Sequence, residues 1–222
     1  DSFKIYISED SGKTWSEQWM QGTISMEYIT DIHSITYFYN RIYICGGNEL
    51  GLGFSGVSTD NGNHWIFYQT DHELKSIVFR DELNGITCGY GIIYYTEDGG
   101  LTWHSAEQPG QFWTAAHYNR GYYFASSYSG EVISSSDGKT WRTIHKGGGI
   151  LNSQLQINSS SYMNETILSV GLSGKGIISN DFGNNWKNII FAENSHIYSV
   201  HCMNEHEGFI AGENGNLCKI IY

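Results

Sequence analysis

The carboxylates are the first residues of this chain that could do chemistry. Hydrolysis of a glycosidic bond takes two carboxyl groups about 5 to 10 Å apart across the sugar. Asp31 and Glu73, at corresponding points of two successive repeats, are the pair that could be so placed. Four other aspartates, Asp10, Asp60, Asp98 and Asp181, share one repeated context, and Asp137 sits in a variant of it, so these five are committed elsewhere. Gly51-Leu52-Gly53-Phe54-Ser55-Gly56 matches the dinucleotide-binding pattern by letter but leads into Val57 and Ser58 with no helix to follow. Without a strand-turn-helix context it is expected to extend the loop between two strands. His201-Cys202 with Glu205-His206 is the densest group of metal-ligating types. Alternation along a strand points His201 and Cys202 to opposite faces, so no metal site is expected. Neither is a cofactor. Asn158-Ser159-Ser160 and Asn164-Glu165-Thr166 are glycosylation sequons, with meaning only in a secreted eukaryotic protein.

The elements that must position these residues are legible from the tryptophans. Five of the seven end the same phrase: Ser8 to Trp15, Ser58 to Trp65, Thr96 to Trp103, Ser134 to Trp141 and Ser179 to Trp186. Three residues before each Trp stands a glycine (Gly12, Gly62, Gly100, Gly138, Gly183), and five before it an aspartate in all but the fourth copy. There Ser136 takes the slot and Asp137 follows. A glycine supplies the positive φ of a tight turn, a short carboxylate accepts hydrogen bonds from the turn amides, and the indole ring is buried between sheets. Such a phrase is a hairpin clasp. Between the phrases runs a pattern of inner, second and third strand, with a short outer strand after each Trp. Leu74 to Phe79 and Ile197 to Cys202 are expected inner strands, and Lys187 to Phe191 an outer one.

Composition agrees. With 27 Gly, 1 Pro, 16 Tyr, 10 Phe and 7 Trp, the chain favours strands and tight turns, and no long window has a helical apolar period. The reading is an all-β chain, residues 1–222 forming one β-propeller domain whose repeats each supply a blade. Five blades are favoured, the two ends sharing one; six, or part of a larger propeller, is the alternative. A formal charge of -11 opposes phosphate binding, so nucleic acid is not an expected partner, and no apolar run is long enough for membrane insertion. Oligomeric state is not legible.

Ser-x-Asp-x-Gly-x-Thr-Trp resembles the Asp box of the sialidase-like, or BNR-repeat, propellers. Leu83-Asn84-Gly85-Ile86-Thr87-Cys88-Gly89 followed by Asp98 to Trp103 looks most like repeats of the photosystem II assembly-factor propellers and their bacterial relatives. This resemblance spans essentially the whole chain and is specific for fold, whereas its members include enzymes, receptors and assembly factors. Sialidases hold the substrate with three arginines and carry an Arg-Ile-Pro motif; here there are four arginines in all, and Arg41-Ile42 is followed by Tyr43. Sialidase activity is therefore not expected. The family, and a first residue that is not Met, imply a processed chain in an extracellular or periplasmic setting.

Two functions follow as expectations. One is a non-catalytic interaction or assembly module presenting a rigid face to a protein partner. The other is a glycan-binding, lectin-like module or remnant glycoside hydrolase. Aligning the inner strands on Ser34, Ser76, Thr114 and Ser199 places His33, Lys75, Trp113 and Tyr198 at one position, which with Asp31 and Glu73 makes the candidate binding set. Cys45 and Cys88 share a second-strand slot with Ala125, Val170 and Ala211 and read as buried thiols. Whether Cys202 and Cys218 form a disulfide stays open.

Overall fold

The computed structural model describes residues 4–22, 31–48, 51–108, 110–147, 156–191, 195–204 and 206–221. These residues fold into sheets of largely antiparallel strands, and no α-helix occurs among them. The first sheet pairs β1 (Lys4–Ile7) with β2 (Ser16–Trp19); the short β3 (Gln21–Gly22) that follows joins the outer edge of the second sheet, Gln21 and Gly22 pairing in parallel with His64 and Trp65. Next come β4 (Asp31–Phe38), β5 (Arg41–Gly47), β6 (Gly53–Ser58) and β7 (His64–Thr70). The third sheet is β8 (Leu74–Phe79), β9 (Gly85–Gly89), β10 (Ile92–Thr96) and β11 (His104–Ser105). The fourth is β12 (Trp113–Asn119), β13 (Tyr122–Ser127), β14 (Val132–Ser135) and β15 (Arg142–His145). The fifth is β16 (Ile157–Met163), β17 (Thr166–Gly171), β18 (Lys175–Ser179) and β19 (Lys187–Ile190), and the sixth is β20 (Ile197–Cys202), β21 (Glu207–Gly212) and β22 (Leu217–Ile221).

The core lies between sheets. Tyr43, Cys45 and Val57 of the second meet Leu74, Ile77, Phe79 and Trp103 of the third. Ile86, Cys88 and Ile93 meet Trp113, Ala116 and Tyr123 of the fourth, and Leu168 and Val170 of the fifth meet Ile197, Val200 and Cys202 of the sixth. Cys45 and Cys88 are buried opposite Ser34 and Ser76, a slot that Val170 and Ala211 share as expected but that Ser126, opposite Ala115, fills in the fourth sheet in place of Ala125. Cys202 and Cys218 are both free thiols, with β21 lying between their strands.

Each clasp is built as its residues require. Asp60 Oδ1 accepts from His64 N at 2.9 Å, Ser58 Oγ accepts from Gly62 N at 2.8 Å, and Trp65 Nε1 donates to Gly62 O at 2.9 Å. These bonds, from backbone amides first, bring the Asp10 and Asp60 carboxyls down to about 2. The fourth clasp is one residue shorter than the alignment implies. Ser135 Oγ, not Ser134, accepts from Gly138 N at 2.8 Å, and Asp137 Oδ1 accepts from Thr140 N at 3.0 Å, so Asp137 fills the aspartate role and Ser136 does not.

The clasp glycines also pack. A Cβ on Gly62, at φ +86, would lie 2.8 Å from Ile5 Cδ1 of the preceding sheet, and one on Gly183 would lie 2.7 Å from Ile144 Cδ1. Gly12, with no preceding sheet among the described residues, would meet only its own Trp15 at 3.8 Å.

Two expectations are corrected. Gly53 to Ser58 is strand, not loop: Gly53 pairs with Gly47 and Phe54 with Gly46. Gly56 needs to lack a side chain because a Cβ there would lie 2.8 Å from the Phe67 ring. The two ends of the chain, expected to share one blade, lie in separate sheets. β1 pairs with β2, β22 pairs with β21, and no strand pair joins them among the described residues. β1 is held instead by Ile5, which buries against Ile44, Phe54 and Trp65 of the following sheet. Phe3, which the sequence would place at the start of this strand, lies outside the described residues.

Two outcomes test the clasp. Gly62→Ala combines left-handed backbone strain with crowding against Ile5 and should cost about 2 to 4 kcal/mol in urea denaturation. Gly12→Ala meets the strain alone and should cost about 1 to 2 kcal/mol. The Asp10 and Asp60 carboxyls are lower folded than unfolded, so their contribution is complete above an unfolded value of about 4 and is lost as pH falls toward 2. Melting followed across that window should decline steeply, and Asp60→Asn should flatten part of the decline.

Candidate functional site

The inner strands β4, β8, β12, β16 and β20 stand side by side in chain order, and each carries a bulge near its start. The pairing jumps from Ile32 to Ser34, Leu74 to Ser76, Trp113 to Ala115, Ile157 to Ser159 and Ile197 to Ser199. An unpaired extra residue at a bulge is turned out of the ladder and re-aimed. The five so turned are His33, Lys75, Thr114, Asn158 and Tyr198, all polar or amphipathic, on one rim.

Trp113 is not among them. It fills the core position of Leu74, Ile157 and Ile197, fully buried, and donates from Nε1 to Gln108 Oε1 at 2.9 Å. The alignment on Thr114 is one residue out of step, because Ala115 is the counterpart of Ser34, Ser76, Ser159 and Ser199. Sequence reasoning missed Thr114 for that reason, and missed Asn158 because the alignment included no residue of β16. The small residue after each bulge lets neighbouring strands approach: Ala116 N donates to Ser76 Oγ at 3.1 Å and Val200 N to Ser159 Oγ at 3.3 Å.

At the second and third sheets the rim gathers three candidate residues. Glu73 Oε1 lies 2.7 Å from Lys75 Nζ and 2.7 Å from His33 Nε2, while Lys75 Nζ and His33 Nε2 are 3.1 Å apart. Partial burial pushes the Glu73 carboxyl up, but the bonds and charges of Lys75 and His33 outweigh it and leave it below its ordinary value. A general acid needs the opposite displacement. Asp31 is exposed at the start of β4, two residues from His33.

The far end of the rim has a counterpart that the sequence did not signal. Glu213 Oε2 accepts from His196 N at 3.0 Å, and Glu213 Oε1 accepts from Tyr198 OH at 3.5 Å. Ser173 N donates to His196 Nδ1 at 3.0 Å, which leaves the ring proton on Nε2, toward Glu213. Between these groups, Asn158 Nδ2 donates to Ile197 O at 2.8 Å and Thr114 Oγ1 to Ser126 O at 3.2 Å. In β20, His201 is exposed and Cys202 buried, on opposite faces as alternation requires; Glu205 lies outside the described residues.

Neither the family models nor the curated proteins match this sequence. Solved structures do. YCF48 from Cyanidioschyzon merolae is 14% identical with a TM-score of 0.70, over 98% of this chain and 76% of that one. The fold is a β-propeller. A structure of YCF48 bound to D1 peptide is likewise 14% identical, with a TM-score of 0.62 over 99% of this chain and 85% of that one. The GH74 enzyme of Niastella koreensis is 15% identical with a TM-score of 0.71; it is matched over 97% of this chain but 40% of its own length. YCF48 and the GH74 enzyme share this architecture with the chain, and at these identities the likeness concerns the fold.

The Glu73 group makes one directional test. Lys75→Met removes a charge and a hydrogen bond that favour the carboxylate, so the Glu73 carboxyl should titrate at higher pH. Carboxyl carbon NMR shifts followed against pH would show it, and an unmoved midpoint would mean that Lys75 does not hold this group.

Proposed function

We propose that this propeller is a non-catalytic interaction module that presents its rim to a protein partner. The observation that carries the reading is the repeated bulge. One backbone device, used in five adjacent sheets, turns out five different side chains, His33, Lys75, Thr114, Asn158 and Tyr198. A catalytic centre concentrates convergent groups, whereas a row of unlike polar and aromatic groups on a stiff frame suits recognition of an extended surface. The low-lying Glu73 carboxyl speaks in the same direction, since it is held as an anion by two cationic or polar neighbours. The solved complex of YCF48 with D1 peptide supports the idea that such a propeller can take a protein ligand.

Glycan recognition by this same rim is the weaker reading, because Trp113, its intended aromatic platform, is buried in the core.

A tagged chain incubated with native extract in mild salt should retain a partner above background. The combined variant His33→Ala, Lys75→Ala and Tyr198→Ala should lose about tenfold or more of that capture, because aromatic and charged anchors dominate such surfaces. Lys187→Ala, on the outer strand β19, should lose none. Capture that is absent, or indifferent to the rim variant, would sink the reading.

A further inference from the structure

A second interaction surface, independent of the rim, lies on the open face of the sixth sheet. The earlier sheets show what such a face takes. In the third sheet Ile86, Cys88 and Ile93 are fully buried, because Trp113, Ala116 and Tyr123 of the hairpin β12–β13 pack on them. Ser76 fastens that hairpin, its Oγ accepting from Ala116 N at 3.1 Å. In the fifth sheet Ser159 Oγ accepts from Val200 N at 3.3 Å and Ser161 Oγ from Cys202 N at 2.9 Å, while Leu168 and Val170 are buried against β20.

The sixth sheet repeats this face without the cover. Pairing aligns Ser199 with Ala211 and Leu217, as it aligns Ser76 with Cys88 and Ile93. It aligns His201 with Phe209, as it aligns Val78 with Ile86. Phe209 is 38% exposed and Leu217 70%, where their counterparts Ile86 and Ile93 are buried. Ser199 and His201, at the points of Ser159 and Ser161, are exposed and make no side-chain hydrogen bond among the described residues. An apolar patch and the groups that elsewhere fasten its cover thus stand together in solvent, the arrangement of an interaction surface.

We propose that this face docks a β-hairpin of another polypeptide, laid on it as β12–β13 is laid on the third sheet. The first strand of the hairpin runs along β20 and gives one amide N–H to Ser199 Oγ, which sets its register. Its apolar side chains cover Phe209, Ala211 and Leu217, and their fit supplies selectivity. A second copy of this chain is a poorer occupant. The matching face of its second sheet is already covered in part by Ile5 of β1, and two chains of formal charge -11 repel at long range. The same charge favours a hairpin without acidic residues.

The test uses the full chain and a synthetic hairpin copying residues 111–128, which holds β12 and β13, one arginine and no carboxylate side chain. Added to the isotope-labelled chain, it should shift backbone amide NMR signals of β20 and β21 saturably, with dissociation at about 1 mM or tighter. Phe209→Asp should weaken binding about tenfold or more, as loss of an apolar anchor does. Ser199→Ala should weaken it about fivefold, and so should an ester in place of the Ala116 amide of the hairpin, which removes the N–H. Combined, the two should cost no more than either alone, because they delete one bond. The pair His33→Ala and Lys75→Ala should leave hairpin binding unchanged, so that this inference and the rim reading fail separately. The inference is overturned if the hairpin moves no signal of the sixth sheet, if a folded Phe209→Asp chain binds it as well as the parent, or if the Ser199 and ester losses add. It is also overturned if light scattering finds the chain alone to be an oligomer that Phe209→Asp disperses, since a second copy would then be the occupant.

Discussion

The aspartate of each clasp, its carboxylate receiving backbone amides across a four-residue turn, is the interaction on which the rest depends. In the first clasp Asp10 Oδ1 accepts from Thr14 N at 2.8 Å and Lys13 N at 3.0 Å, and in the third Asp98 Oδ1 accepts from Leu101 N and Thr102 N at 3.0 Å each. A carboxylate that satisfies amides which cannot join a ladder sets the direction of the following outer strand. That direction carries the Trp beneath the turn and brings the glycine against the sheet before it. One short phrase thus closes a hairpin within a sheet and sets the spacing between sheets. The glycine joins the two tasks, since it alone tolerates both the left-handed φ and the approach of Ile5, Tyr43 or Ile144.

The first sheet shows what happens where one side of this arrangement has no neighbour among the described residues. Trp65 and Trp103 are 2% and 4% exposed, covered by Ile5 and by Phe79 with Tyr43, whereas Trp15 is 63% exposed although its indole makes the same bond to Gly12. The turn is local and forms regardless. Burial of its ring is not local, because the apolar cover comes from a preceding sheet. β4 shows the same contrast: Ile35 and Tyr37 are exposed, while Ile77 and Phe79 at the matching points of β8 are buried.

The bulge does for the rim what the clasp does for the outer edge. It adds one residue to each inner strand without disturbing the core residue before it or the small residue after it. Side chains at that point are therefore released from the packing that constrains Leu74, Ile157 and Ile197, and they can differ from sheet to sheet. Serines following the bulge fasten one inner strand to the next through Ser76 and Ser159. The frame is uniform and the row of bulged residues, exposed at His33 and Tyr198 and half-buried between them, is varied.

Much of this was legible in the residues themselves. The clasps, the strand order within a sheet, the buried thiols at Cys45 and Cys88, and the grouping of His33, Lys75 and Glu73 near one edge all follow from local phrases repeated at near-constant spacing. Such features are settled within a few residues: a turn by its own carboxylate and glycine, a strand by its own alternation. The remainder depends on partners distant in the chain. Only pairing with Ser126 and Ser127 shows that Thr114, and not Trp113, is the bulged residue, because a one-residue slip leaves the same letters in place. Only the position of Phe67 shows why Gly56 belongs to a strand, and only the separate pairing of β1 and β22 shows that the described residues of the two ends do not share a sheet. Sequence determined the turns and the periodicity because these are local energies; register and cover waited on tertiary structure because each is a contact between segments that the order of residues does not bring together.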